Sequence, residues 1–318
     1  MGVVRMGAYA HASAPDVTRL LEEVDPAAFI VAVRSASDAD LLAVTHDAER
    51  GLAVVEGVMQ RLGEFAVSEQ LAEMDCHLLW ETTDVPGARH VLRVHDGTTQ
   101  VVAGSAPTDL AVQGTALQLL RLVAGQLDVA VAYLGDTLRL EGSSEAALAL
   151  AALFAVDGSA PLTGQPVNPR DIDPVQVARA LSGVNADHLR SVMASGFRPV
   201  ILEEIFDRMP AYVNGRKAAG VQITVGFRLT GRPDGEVDRY VLRLRDGQAT
   251  VLAGEAADAV GRDDRDATVT CEAQDFLRLA TGHLSAVTGV LRGQLKVRGD
   301  KVAALRLNSA FDIPTAAA

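Results

Sequence analysis

Residues 90–104 read HVLRVHDGTTQVVAG and residues 240–254 read YVLRLRDGQATVLAG, identical at eight of fifteen aligned positions. The correspondence runs well beyond this pair. Asp25-Pro26 aligns with Asp173-Pro174, SDADLL (37–42) with VNADHL (184–189), and VMQRLGEF (58–65) with IFDRMPAY (205–212). Further on, Asp109 aligns with Asp266, LLRLVAGQL (119–127) with FLRLATGHL (276–284), LRLEG (138–142) with LKVRG (295–299), and Phe154 with Phe311. The offset drifts from 148 to 157 residues, which implies short insertions, chiefly EAADAVGRDDR (255–265), read as a loop. A period this long points to duplicated domains rather than a solenoid of short repeats. The stretch between the copies, DGSAPLTGQPVNPRDID, carries three prolines and no apolar periodicity and reads as a linker. The expected organisation is therefore a first domain over 1–156, a linker over 157–172 and a second domain over 173–318.

Each copy presents the same order of elements. Helical spacing comes first, as in Val200, Ile201, Ile205 and Met209. Asp173 before Pro174 predicts a helix N-cap followed by proline at the first helical position. Alternating runs follow. In VQITVGFRL, Val221, Ile223, Val225, Phe227 and Leu229 share a face, and in YVLRLRDG, Leu242 and Leu244 point in while Arg243 and Arg245 point out. The Asp-Gly pairs predict hairpin turns with positive φ. A further strand, a helix ended by Gly282, an apolar segment, a short strand and a last helix-like segment close the copy. One-sided strands require a covering layer, here the helices.

The stretch DATVTCEAQDFLRLATGHLSAVTGVLRGQLKVRGDKVAALRL (266–307) resembles the sterol carrier protein 2 (sterol-binding domain) family. It has the Asp-Phe-x-x-Leu helix, the Gly-x-Leu that follows, the Gly-Asp turn and the Leu-rich last helix. Gln294 stands where the family usually has Lys. The first copy resembles it more loosely, with Leu119 for Phe276 and Ser143 for Asp300. The resemblance implies an α+β fold in each copy: a five-stranded sheet covered on one face by helices, with an apolar tunnel between. It also implies a non-catalytic carrier of a lipid-like ligand, such as a fatty acyl chain, an acyl-CoA, a sterol-like compound or a polyketide. In the second copy the expected ligand-binding residues are Phe206, Met209, Phe227, Leu229 and Phe276, with Leu284, Val287, Leu291, Leu305 and Phe311 completing the lining. Each of these is equally read as ordinary core, since buried Leu, Val and Phe are the commonest core residues. The rival function is a scaffold or accessory subunit of a biosynthetic pathway, with filled cores, acting through its surfaces.

Little in the sequence points to catalysis. Neither a Gly-x-Ser-x-Gly elbow nor a phosphate-binding glycine loop occurs. Cys76, His77, His90 and His95 are ligand types for a metal, but strand alternation splits Cys76 from His77 and His90 from His95, so they read as strand histidines and no metal or cofactor is expected. Cys76 and Cys271 read as free buried thiols. The net charge of −12 disfavours nucleic acid as a partner, and no run of apolar residues is long enough to cross a bilayer, so a cytoplasmic protein is expected. The charge is uneven. Residues 1–158 hold 22 acidic and 9 basic residues, a net of −13, whereas residues 159–318 hold 19 and 20, a net of +1. Three readings fit: drift of solvated surfaces, docking of the acidic copy on the other, or weak contact of the second domain with an anionic membrane surface.

Overall fold

In the computed structural model, which describes residues 6–103, 106–154 and 173–315, the alternating runs form ten strands. The chain divides into two compact units, Met1–Asp171 and Ile172–Ala318. The linker expected over 157–172 lies outside the described residues, as does Gly104 of the repeated segment.

The first unit contains β1 (Cys76–Thr82), β2 (Arg89–His95), β3 (Thr98–Val102), β4 (Leu110–Gly114) and β5 (Arg139–Gly142). The second contains β6 (Ile223–Thr230), β7 (Asp238–Arg245), β8 (Gln248–Ala253), β9 (Ala267–Glu272) and β10 (Lys296–Gly299). The sheet orders are β3-β2-β1-β4-β5 and β8-β7-β6-β9-β10, the same connectivity written twice. In each sheet only the central pair, β1 with β4 or β6 with β9, is parallel. The fold class is α+β, with two five-stranded mixed sheets.

The agreement extends to single residues. Asp96-Gly97 and Asp246-Gly247 both turn with two positive φ angles (47° and 69°, 51° and 77°), the geometry that matches strand twist in a two-residue hairpin. Asp109 accepts the backbone N–H of His77 at 2.7 Å, and Asp266 accepts that of Thr224 at the same distance. These aspartates pin the start of the fourth strand beside the first. The Asp109 and Asp266 carbonyls in turn accept the N–H groups of Ser143 and Asp300. Gly142 and Gly299 precede those donors with φ of 115° and 87°, and a Cβ on either would collide with the aspartate carbonyl oxygen.

Helix boundaries follow their caps. Asp25 accepts from the N–H of Ala28, with Pro26 at the helix start, and Asp173 accepts from Val175, with Pro174 in the same place. In the first unit, helix Ala48–Gln60 packs on β2 and β3, and helix Ser144–Leu153 packs on β4. In the second, helices Ala273–Ala280 and Lys301–Ser309 pack on β6 and β9.

The opposite face of the second sheet departs from expectation. Residues 255–265 do not form a plain loop. Helix Gly254–Asp258 lies against β7 and β8, and Ala257 and Val260 close over Val241 and Leu252. Val241 is on the same face as Arg243, so the face on which the arginines were expected to point out is partly dry. The insertion is responsible: two of its apolar residues, Ala257 and Val260, reach back over the sheet. Arg265 stabilises this cover by donating to the carbonyls of Ala257 and Val260. Its guanidinium and side-chain stem occupy the space left by Gly226 in β6.

Candidate ligand-binding site

The residues expected to line a cavity in the second unit fall into two groups. Phe227 and Leu229 alternate on the inner face of β6, opposite Tyr240 and Asp238 of β7. Helix Arg198–Arg208 brings Phe206 onto them, and helix Ala273–Ala280 brings Phe276. Phe206 stacks on Tyr240 at 3.8 Å between centroids and on Phe276 at 4.9 Å. Phe227 meets Phe206 and Phe276 edge to face, at 5.7 and 5.5 Å. The four rings, all joined through Phe206, form a single apolar block, and Leu229 and Leu284 are also buried. Phe311 is also buried and is tied by a β-bridge to Val213. Met209 begins the short 3-10 turn Met209–Tyr212 and is only half-buried.

Val287, Leu291 and Leu305 behave differently. Leu291 is 81% exposed, Val287 54% and Leu305 40%, so these three lie on the surface and do not line an interior. The six-residue helix Ala286–Leu291 is too short to have two distinct faces in sequence. Its inward contact is Gly289, held close against Leu295 and Leu284, which turns Val287 and Leu291 outward. Helix Lys301–Ser309 packs beside it and adds exposed Val302. The result is an apolar strip rimmed by exposed Arg292, Lys301 and Arg306.

Burial sets the electrostatics of the ring block. It pushes the Tyr240 hydroxyl up to about 12, with Asp238 and Glu203 adding and Arg198 opposing. Burial also raises the Asp275 carboxyl above its ordinary value, opposed by a hydrogen bond donated from the Gln294 amide at 2.9 Å. Gln294 thus supplies the side-chain donor that holds this carboxyl.

A buried, four-times-bonded cation of the second unit was missed in the sequence. Arg198 is 4% exposed. Its Nε donates to Asp238 at 2.7 Å, and its remaining nitrogens donate to the carbonyls of Met193 (2.9 Å), Leu229 (3.0 Å) and Thr230 (3.0 Å). One side chain therefore fastens helix Ala186–Ala194 to the β6–β7 corner. An arginine beside a proline at a helix start carries no sequence signal for that role.

In the first unit the histidine and cysteine types do not gather. Cys76 and His90 point to the inner face of β1 and β2, while His77 and His95 point to the other, where His95 lies 3.2 Å from Asp75. Among the described residues no group of three or more His, Cys, Asp or Glu could hold a metal ion. Both cysteines are free and buried.

Comparison with known proteins gives each unit a separate likeness. Residues 59–155 match the SCP-2 sterol transfer family model, and residues 193–317 match the alkyl sulfatase C-terminal model. The sterol-carrier resemblance seen in both copies is thus matched in the first. The second copy, which reads as the closer of the two, matches a different model. No curated protein matches the chain. Among solved structures, the chain is similar to sterol carrier protein-2 like-3 from Aedes aegypti (25% identity, 35% of this chain and 93% of that one, TM-score 0.27). It is also similar to the sec-alkylsulfatase Pisa1 from Pseudomonas sp. (18% identity, 61% of this chain, TM-score 0.31). A third is a UbiJ-SCP2 ubiquinone synthesis protein (16% identity, 36% of this chain and 95% of that one, TM-score 0.27). The chain spans about a quarter of the alkylsulfatase's length.

Proposed function

We propose that the chain is a non-catalytic carrier that binds or transfers a lipid-like apolar ligand, of fatty acyl, acyl-CoA, sterol-like or polyketide type. The observation that carries this reading is the SCP-2 sterol transfer match over 59–155, a span that includes every strand of the first sheet. The identical connectivity of the second sheet supports an origin by duplication, with domains at 1–156 and 173–318 joined by a linker over 157–172. Binding would draw on apolar burial, about 25 cal/mol per Å².

In the second domain the ring block of Phe206, Phe227 and Phe276 would be the floor of the ligand site, backed by Leu229, Leu284 and Phe311, with Met209 at its edge. Val287, Leu291 and Leu305 would form its mouth. Exposed apolar side chains rimmed by Arg292, Lys301 and Arg306 suit weak contact with an anionic lipid surface, where each cation contributes about 1 kcal/mol before screening. The test of carriage is displacement of a fluorescent fatty acid from the full chain. Saturable binding with competition by unlabelled lipid supports it, and no binding with the fold intact refutes it.

A second reading is favoured by the close stacking of Phe206 on Tyr240 and Phe276, at 3.8 and 4.9 Å between centroids. On that reading the second domain has a filled core and serves as a scaffold or accessory surface in a biosynthetic pathway. The same titration separates the two: two sites per chain support a second carrier domain, and one site supports the scaffold.

A further inference from the structure

Among the described residues, four buried side-chain polar atoms have no hydrogen-bond partner, and three of them are neighbours on one face of the first sheet. These are Trp80 Nε1, Thr82 Oγ1 and His90 Nε2. The fourth, Arg265 Nε, belongs to a guanidinium already anchored on two carbonyls. Trp80 and His90 are directly opposite each other across β1 and β2, and Thr82 is two residues along β1, hence on the same side. Trp80 is 1% exposed and Thr82 6%. Their register neighbours on that face include buried, apolar Leu78, Leu92, Val112 and Leu140, with Gly114 beside Thr82, while His90 itself is half-buried. Proteins pair the large majority of their buried side-chain polar atoms, so three adjacent unpaired ones call for a cause.

The second unit supplies an internal control. By strand register, Phe227 occupies the place of Trp80, Tyr240 that of His90, and Leu229 that of Thr82. There Phe227 and Tyr240 join the ring block, and Leu229 is fully buried. The same sheet position can therefore be closed with apolar or aromatic side chains that pack on one another. The first unit instead keeps an indole, a hydroxyl and an imidazole.

We propose that Trp80, Thr82 and His90 form the polar anchor of the first unit's ligand site, and that they recognise a neutral oxygen, a hydroxyl or a carbonyl, on an otherwise apolar molecule. The inference rests on the carrier reading and gives it a ligand class. The chemistry of the three groups sets that class. An indole N–H only donates, a hydroxyl donates or accepts, and a neutral imidazole does one at each nitrogen. Together they can place as many as three donors around one acceptor oxygen. Burial holds the His90 pKa below the ordinary histidine value, with Glu56 of helix Ala48–Gln60 opposing, so the imidazole is neutral at physiological pH. The carboxylate of Glu56 is the charge that acts on this imidazole, and it disfavours an anionic head group. A fatty acid anion would therefore be a poorer ligand than the alcohol or ketone of equal length, and an alkane would leave the three groups as unpaired as before.

Trp80 is the only tryptophan of the chain, so its emission reports on this site alone. The experiment titrates the full chain with dodecanol, a dodecanone, dodecanoate and dodecane while following Trp80 fluorescence. The expected result is a saturable change in emission with the alcohol and the ketone, at affinities at least about tenfold above those for dodecane and dodecanoate. Thr82→Val, nearly isosteric, should erase most of that preference, and His90→Gln, which retains a donor, should keep part of it. Unliganded Thr82→Val should also melt higher than the parent by a few degrees, because it removes a buried hydroxyl without a partner. Equal affinity for alcohol and alkane, or saturable lipid binding that leaves Trp80 emission unchanged, would overturn the anchor while sparing the carrier reading. Failure of all four probes and of a fluorescent fatty acid would overturn both.

Discussion

Replacing Arg198 by methionine is the sharpest test of how the second unit is held together. Methionine retains most of the apolar stem and removes the guanidinium, so the change isolates the polar clamp. Four hydrogen bonds disappear: one to the Asp238 carboxylate and three to backbone carbonyls at the ends of helix Ala186–Ala194 and of β6. Asp238 does not become unpaired, because Arg232 also reaches it at 3.1 Å. The carbonyls have no such reserve from this side chain, and the side chain is 4% exposed, so water does not readily take its place. Breaking a buried ion pair by removing one partner costs about 3–5 kcal/mol, and the retained Arg232 contact puts the expected loss at the lower end, about 3–4 kcal/mol. For a domain of this size that corresponds to a fall of about 6–16 °C in the Tm of the second unit. The assay is thermal and urea unfolding of the full chain by circular dichroism, with m-values compared. A loss below about 1 kcal/mol would refute the clamp, because a solvated surface arginine costs no more than that.

Three further outcomes follow from the same structure. Burial pushes the Cys76 thiol up to about 11 and the Cys271 thiol up to about 12, so neither should react with a thiol reagent at mildly alkaline pH until the chain is unfolded, when both should. Since both folded values lie above the ordinary thiol value, their share of stability is intact below it and is lost as pH rises through it, a loss that a urea series across alkaline pH would show. Gly142→Ala and Gly299→Ala should each destabilise by more than about 1 kcal/mol in urea unfolding, because both force a Cβ onto an aspartate carbonyl at positive φ; a neutral result at either would break the equivalence of the two corners. Leu291→Trp should change stability by less than about 0.5 kcal/mol, since the site is open to solvent, whereas Val287→Asp combined with Leu291→Asp should weaken co-sedimentation with anionic vesicles at low salt.

The sheets were legible because their signals are local. The alternation of Leu242 and Leu244 with Arg243 and Arg245, the Asp-Gly turns and the Asp-Pro caps each depend on residues within one turn or strand. Repetition strengthened them, since the aligned residues Asp109 and Asp266 make the same two hydrogen bonds in the two units. What was not legible depends on distant partners. Ala257 and Val260 give too short an apolar pattern to announce a helix over the sheet. Leu291 looks like core in sequence, and only the packing of Gly289 against Leu295 shows that it faces out. Arg198 takes its meaning from residues on two other elements. Trp80 and Thr82 carried no signal in the sequence, because their polar atoms lack partners only in the folded layer.

A carrier must hold an apolar molecule. Native mass spectrometry of the full chain, purified without detergent, measures that directly. The expected result is a mass excess that is lost on denaturation and an extract containing an apolar compound with a hydroxyl or carbonyl group. A bare chain mass under gentle conditions, still bare after incubation with long-chain alcohols, ketones and fatty acids, would contradict it.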